Sequence, residues 1–157
     1  MRSDDKKYSI DLIKSLFLQN GLNTKESYET EKYDLLLDDG RKIEIKNRRF
    51  TTNQFITYSS GDGFILEKIK YDFLIDNNGL YIYTMKLNNY NIVLIWDVKK
   101  INTNFLNITL QSKTDFSGCY KKNKQITYLS IKDCYIYIKI DRWICVKYEK
   151  LLKIIAK

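Results

Sequence analysis

The sequence predicts an α/β fold, a mixed central β-sheet flanked by helices, formed as a single domain over residues 1–157. Three observations predict it. An apolar stripe at helical spacing opens the chain, strand-like segments dominate its middle, and an amphipathic segment closes it. No internal repeat, proline-rich linker or low-complexity tail divides it.

Residues 4–20 place Tyr8, Leu12, Ile13, Leu16 and Phe17 at helical spacing, with Ser3 positioned as N-cap and Gly21 where a helix-ending glycine is expected. After a polar connection, residues 33–46 read as strand, turn and strand. Residues 47–62 are rich in Ser, Thr and Asn, the composition of a loop. Residues 63–70 suit a short helix, with Phe64, Ile65, Lys68 and Ile69 on one largely apolar side. A second hairpin is expected from residues 71–75 and 80–85, turning at Asp76-Asn77-Asn78-Gly79. A further strand over residues 92–96 leads into a short basic helical turn over 97–101. Residues 102–130 are weakly patterned, with Ser117-Gly118 as a turn. Residues 135–140 form a strong strand, and an amphipathic helix covers 146–155.

Composition narrows the chemistry. A hydrophobic fraction of 44% indicates a folded chain with its own core. No apolar stretch approaches the roughly 20 residues that span a bilayer, and the first residues lack the apolar core of a signal peptide, so a soluble protein of the cytoplasm is expected, the host's were it phage-encoded. The chain has no histidine, which removes histidine bases, serine-histidine triads and histidine-metal nucleases. Cys119, Cys134 and Cys145 match no zinc spacing, so zinc is not expected and the thiols read as buried or half-buried side chains. The net charge of +8 favours polyanionic partners. Abundant Lys, Asn, Ile and Tyr without proline also reflect AT-rich coding, which inflates basicity without function.

One pattern carries chemistry: Asp34, then nine residues, then Glu44-Ile45-Lys46. Alternation puts Glu44 and Lys46 on one face of their strand and Ile43 and Ile45 on the other. Asp34 joins the first pair only if the turn has the right parity. A two-residue loop at Asp39-Gly40 would pair Leu35 with Glu44 and turn Asp34 away. A three-residue loop, Asp38-Asp39-Gly40, pairs Asp34 with Glu44, and Gly40 stands where such loops need a left-handed residue. Two carboxylates and a lysine on adjacent strands are the minimal equipment for hydrolysing a phosphodiester with a bound divalent metal. The plainer reading is a solvent-facing strand pair with ordinary cross-strand charges.

With a helix first, an aspartate on a strand and Glu-Ile-Lys on its hairpin partner, the chain resembles the PD-(D/E)XK nuclease superfamily, which includes restriction endonucleases and Holliday-junction resolvases. The resemblance is closest over residues 4–50, looser to about residue 100, and implies a restriction endonuclease-like core. It implies that Asp34 and Glu44 are the metal-binding carboxylates, that the Ile45 carbonyl completes the protein's metal contacts, and that Lys46 positions or activates the attacking water. Tyr33 stands where the family has its proline. The resemblance further implies Mg2+, with Mn2+ able to substitute. Many members carry an acid on the first helix. Asp11 is the candidate, although the helical wheel points it away from the stripe of Tyr8, Leu12, Leu16 and Phe17; Glu29 and Glu31 are alternatives.

Around the motif, Lys42, Asn47, Arg48 and Arg49 are candidate phosphate contacts, or else a solvated charge run. Tyr58, Ser59, Ser60 and Gly61 could border a DNA cleft. Lys121-Lys122-Asn123-Lys124 reads as a surface turn before it reads as a backbone grip. Tyr81, Tyr83, Tyr135 and Tyr137 recur at strand spacing, which favours sheet-face packing over base stacking. The expectation is a magnesium-dependent DNA endonuclease acting on duplex or branched DNA, a Holliday-junction or branched-DNA resolvase first and a restriction-type enzyme next; the resemblance further implies a homodimer, since cutting two strands needs two sites. The rival is a non-catalytic nucleic-acid-binding or assembly protein that keeps the fold.

Overall fold

The computed structural model describes the backbone of residues 3–28, 30–61, 63–114 and 118–156, and the side chains among them outside 110–122. Helix α1 (Asp4–Gln19) opens the chain, and the Ser3 hydroxyl accepts the Lys6 N–H as its N-cap. Three strands follow: β1 (Thr24–Glu26), β2 (Leu35–Leu37) and β3 (Lys42–Asn47). A crossover of helix α2 (Thr52–Ser60), strand β4 (Phe64–Glu67) and helix α3 (Lys68–Asp76) leads to β5 (Leu80–Leu87) and β6 (Tyr90–Asp97). Then come β7 (Leu106–Thr114), β8 (Gly118–Leu129), β9 (Tyr135–Ile140), β10 (Arg142–Val146) and α4 (Tyr148–Ile155).

The fold is α/β. Seven strands make a mixed sheet in the order β1-β2-β3-β5-β6-β9-β10, and β4-β8-β7 make a small antiparallel sheet. Among the described residues only β3 and β5 pair in parallel, with Glu44 beside Tyr81 and Lys46 beside Tyr83. A parallel pair needs a crossover rather than a tight turn, and α2, β4 and α3 supply it.

Two apolar clusters cover the two faces of the large sheet. Ile10, Ile13 and Leu16 of α1 pack on Leu35, Ile43, Ile45, Ile82 and Val93. On the other face Phe55, Phe64, Leu74, Leu151 and Ile155 pack on Tyr81, Tyr83, Leu94 and Trp96. Strands β5 and β6 are therefore buried on both sides, which is why their sequences run almost unbroken in apolar residues. Each large side chain so buried contributes about 1.5–3 kcal/mol relative to exposure.

The crossover overturns three expectations. Residues 52–60 are a helix: Thr51 and Gln54 form a reciprocal capping box that starts it within a polar stretch. Most of residues 63–70 is a strand, because Phe64 and Leu66 alternate into the core. Residues 71–75 are helical, so no hairpin forms there, and Asp76-Asn77-Asn78-Gly79 ends a helix; a Cβ on Gly79 would meet Leu74 within 2.6 Å. The weakly patterned residues 102–130 hold the long β7–β8 pair, and Ser117 of the expected turn lies outside the described residues. The closing helix is shorter than expected, since β10 takes residues up to Val146. A 3-10 turn occupies Val98–Lys100 as expected. Among the described residues no helix is long and apolar enough to cross a membrane.

Candidate active site

The β2–β3 hairpin turns through Asp38-Asp39-Gly40. Leu37 N–H donates to the Arg41 carbonyl (2.9 Å), Gly40 N–H donates to the Leu37 carbonyl (2.9 Å), and Gly40 takes a positive φ of 90°. The pairing that results sets Leu35 against Ile43 and Leu36 against Lys42, the three-residue register. One step further along that register stand Asp34 and Glu44. The regular ladder stops there, and the Asp34 carboxylate takes over: its Oδ2 accepts the Ile45 N–H at 2.8 Å. Asp34 and Glu44 are each only 7% exposed, far from the solvated cross-strand charges of the plainer reading.

Both carboxylates are held by lysines that the sequence reading passed over. The Lys6 ammonium, from the first turn of α1, lies 2.9 Å from Asp34 Oδ2 and also donates to the Ile45 carbonyl. The Lys70 ammonium, from the first turn of α3, lies 2.5 Å from Glu44 Oε1. A sequence signal for them exists. Lys6 precedes buried Ile10 by four positions, and Lys70 precedes buried Leu74 by four, so each lysine extends the inward stripe of its helix by one turn.

Lys46 sits among these groups. Burial lowers its pKa from the ordinary lysine value, the Lys70 charge adds to that, Glu44 opposes it, and Lys6 and Arg48 push it down again. Glu67, at the β4–α3 junction, feels Lys46 and Lys70 as well. Burial raises its carboxyl pKa, but the hydrogen bond and charge of Lys124, 2.7 Å away, outweigh burial and leave it below the ordinary value. A cavity of about 240 Å³ opens beside Glu44, lined by Lys32, Ile69, Lys70, Phe73 and Leu74.

The other expected residues divide. Lys42 projects over the stacked rings of Tyr33 and Phe73, 5.1 and 5.3 Å from their centroids. Arg48 is exposed and lies 5.7 Å from the Tyr83 ring, and Arg49 is exposed and pairs with Asp5 at 2.6 Å. The Asn47 amide donates to Ser9 Oγ (2.8 Å) and Thr84 Oγ1 (3.3 Å), joining α1 to the sheet. Arg48, Arg49 and Lys86 share a second cavity, of about 260 Å³, with Tyr8 and Asn91.

Asp11 is exposed, off the inward face of α1 that carries Ser9, Ile10, Leu12 and Ile13, and the residue of α1 that meets the site is Lys6. Glu31 is exposed and Glu29 lies outside the described residues. Ser59 bonds the Tyr148 hydroxyl, and Ser59, Ser60 and Gly61 line a different cavity with Ser130 and Lys132. Lys121-Lys122-Asn123-Lys124 is part of β8 rather than a turn; the side chains of Lys121 and Lys122 lie outside the described residues, and Lys124 pairs with Glu67. Tyr81 and Tyr83 are buried in the sheet, while Tyr135 is exposed and Tyr137 half-buried. Cys134 is half-buried and Cys145 exposed.

The donors suit a hard divalent cation. Two carboxylates and a main-chain carbonyl are all oxygen ligands, and a cation, the Lys6 ammonium, already bridges two of them. Among the described residues no three or more His, Cys, Asp or Glu cluster as a metal site, so an ion here would rest on Asp34, Glu44, the Ile45 carbonyl and water. No protein-family model, no curated protein and no solved structure matches the chain.

Proposed function

We propose that the chain is a magnesium-dependent DNA endonuclease, served also by manganese, whose site is Asp34, Glu44, the Ile45 carbonyl and Lys46. The observation that carries the reading is the turn through Gly40, whose register sets the Asp34 carboxylate on the Ile45 amide, beside the strand that presents Glu44 and Lys46. The surrounding charge supports it. Lys6, Lys46, Lys70 and Arg48 share one electrostatic neighbourhood, a positive excess over Asp34 and Glu44 that favours a phosphodiester.

Asp34 and Glu44 would hold the ion, and what a bound ion supplies is a lowered pKa for its water and neutralisation of phosphate charge. The remaining work belongs to side chains of this chain. Lys46, partly desolvated, offers N–H donors to an equatorial oxygen of the phosphate and balances the charge that develops there. Its lowered pKa also eases proton exchange with the attacking water. Arg48 and Lys42, on the same hairpin strand and its extension, contact phosphates on either side. A duplex or branched junction has two strands to cut, so the reading includes a homodimer acting on duplex or branched DNA, Holliday junctions among them.

A cleavage assay across four-way junctions, flaps, single strands and duplexes in magnesium tests the reading. Cutting that is lost in Asp34→Asn, Glu44→Gln and Lys46→Met is the expected result. One observation favours the rival non-catalytic DNA-binding role: both carboxylates already have a lysine partner. Wild-type protein that binds the whole panel yet never cuts it would establish that rival.

A further inference from the structure

The Lys6 ammonium occupies the place where two of the proposed ligands meet. It touches Asp34 Oδ2 at 2.9 Å and donates to the Ile45 carbonyl, which are two of the three protein groups assigned to the ion. Helix stability does not explain a lysine there. Lys6 lies in the first turn of α1, where the helix dipole disfavours a cation and where Asp4 and Asp5 are the favourable residues. Its ammonium is a compact charge on a flexible stem, able to swing without the helix moving. The side chain is 26% exposed, so it has a route to solvent.

We infer that Lys6 is an internal stand-in for the divalent ion: it neutralises Asp34 and occupies the Ile45 carbonyl in the metal-free protein, and it is expelled when the ion binds. Expulsion sets the ammonium free at the rim of the site, in reach of the phosphate that arrives with the substrate. Lys6 is thus a positioning residue that couples metal entry to phosphate binding. Lys70 holds Glu44 in the same manner on the other side. The inference rests on the reading of Asp34, Glu44 and Ile45 as cation ligands.

Competition of this kind has a measurable consequence. The ion binds only the fraction of molecules whose site is open, so its apparent dissociation constant is the intrinsic one divided by that fraction. For a site open in about one molecule of ten, removal of Lys6 would tighten metal binding about tenfold. Calorimetric titration of the protein with manganese, without DNA, reads this directly. Lys6→Met is expected to bind manganese about tenfold more tightly than wild type, Lys6→Arg no more tightly than wild type, and Asp34→Asn to lose binding. Lys70→Met carries the same expectation as Lys6→Met and answers the question should Lys6→Met fail to fold, as judged by its circular dichroism and melting. Unchanged or weaker binding in a folded lysine variant, with wild-type binding intact and sensitive to Asp34→Asn, overturns the stand-in and leaves the metal site standing. Absence of manganese binding in wild type and in both lysine variants overturns the metal site itself, and the stand-in with it.

Discussion

Asp34 and Glu44 are near twins: both are almost wholly buried carboxylates on one hairpin, and both are held by a lysine from the first turn of a helix. They differ in one contact. Asp34 also accepts the Ile45 N–H where the β2–β3 ladder stops, so it is a structural rung as well as a candidate ligand. For Glu44 the polar contact is with Lys70, whose ammonium can turn to solvent if the carboxylate goes. Two residues with the same proposed role thus stand in different relation to the fold, and the difference separates chemistry from scaffolding.

Asp34→Ala should break the symmetry most. It leaves the Ile45 N–H buried without an acceptor, a loss of about 1–3 kcal/mol, and it should lower cleavage by about a hundredfold or more. Urea unfolding alongside the cleavage assay checks both, and Asp34→Asn, which retains an acceptor, should recover the stability without the activity. Equal stability in Asp34→Ala and wild type would remove the structural rung from the account. Glu44→Gln should lose activity to the same degree while costing about 1 kcal/mol or less, since the amide oxygen can still accept from Lys70.

Lys46→Met extends the comparison in the opposite direction. A lysine whose pKa burial and like charges have lowered is less stable charged in the fold than in water, so methionine there should raise the urea midpoint while cleavage falls. A midpoint that drops instead would mean that Lys46 stabilises the site more than burial penalises it. The smallest effect belongs to a carboxylate–lysine pair beside the site, Glu67 with Lys124. Because the folded Glu67 carboxyl lies below its ordinary value near 4.5, the pair's contribution is complete above that pH and is lost as pH falls through the lowered value. The difference in urea midpoint between wild type and Lys124→Ala should therefore be flat near neutral pH and shrink in acid. A difference that grows in acid would contradict the lowered pKa.

What could be read in advance followed the range of the forces involved. The hairpin register depends on residues within a few positions of Gly40, and the φ-positive glycine that a three-residue loop needs is visible in the chain. The helix over residues 52–60 also had a local signal, Thr51 and Gln54 at capping-box spacing, but its Ser, Thr and Asn content argued for a loop. Residues 71–75 depart from the expected strand for a different reason. Tyr71, Phe73 and Ile75 alternate and favour strands by propensity, whereas the crossover demanded by the parallel β3–β5 pair overrides them. Lys6 and Lys70 carried only the weak signal of standing one turn before buried Ile10 and Leu74, and that spacing does not say which carboxylate an inward lysine will meet. The polar strands β7 and β8 carry little alternation to detect, since their pairing is mostly with each other.

The spacing of these partners along the chain also bears on the order in which they meet. Asp34 and Ile45 are 11 positions apart, Glu44 and Lys70 are 26, and Lys6 and Ile45 are 39. Closing a longer loop costs more chain entropy, and distant contacts are gained later during folding. The hairpin carrying both carboxylates, with Lys46 already on it, is therefore expected to form before Lys6 and Lys70 reach them, an order that φ-value analysis of Asp34→Ala and Lys6→Met would check.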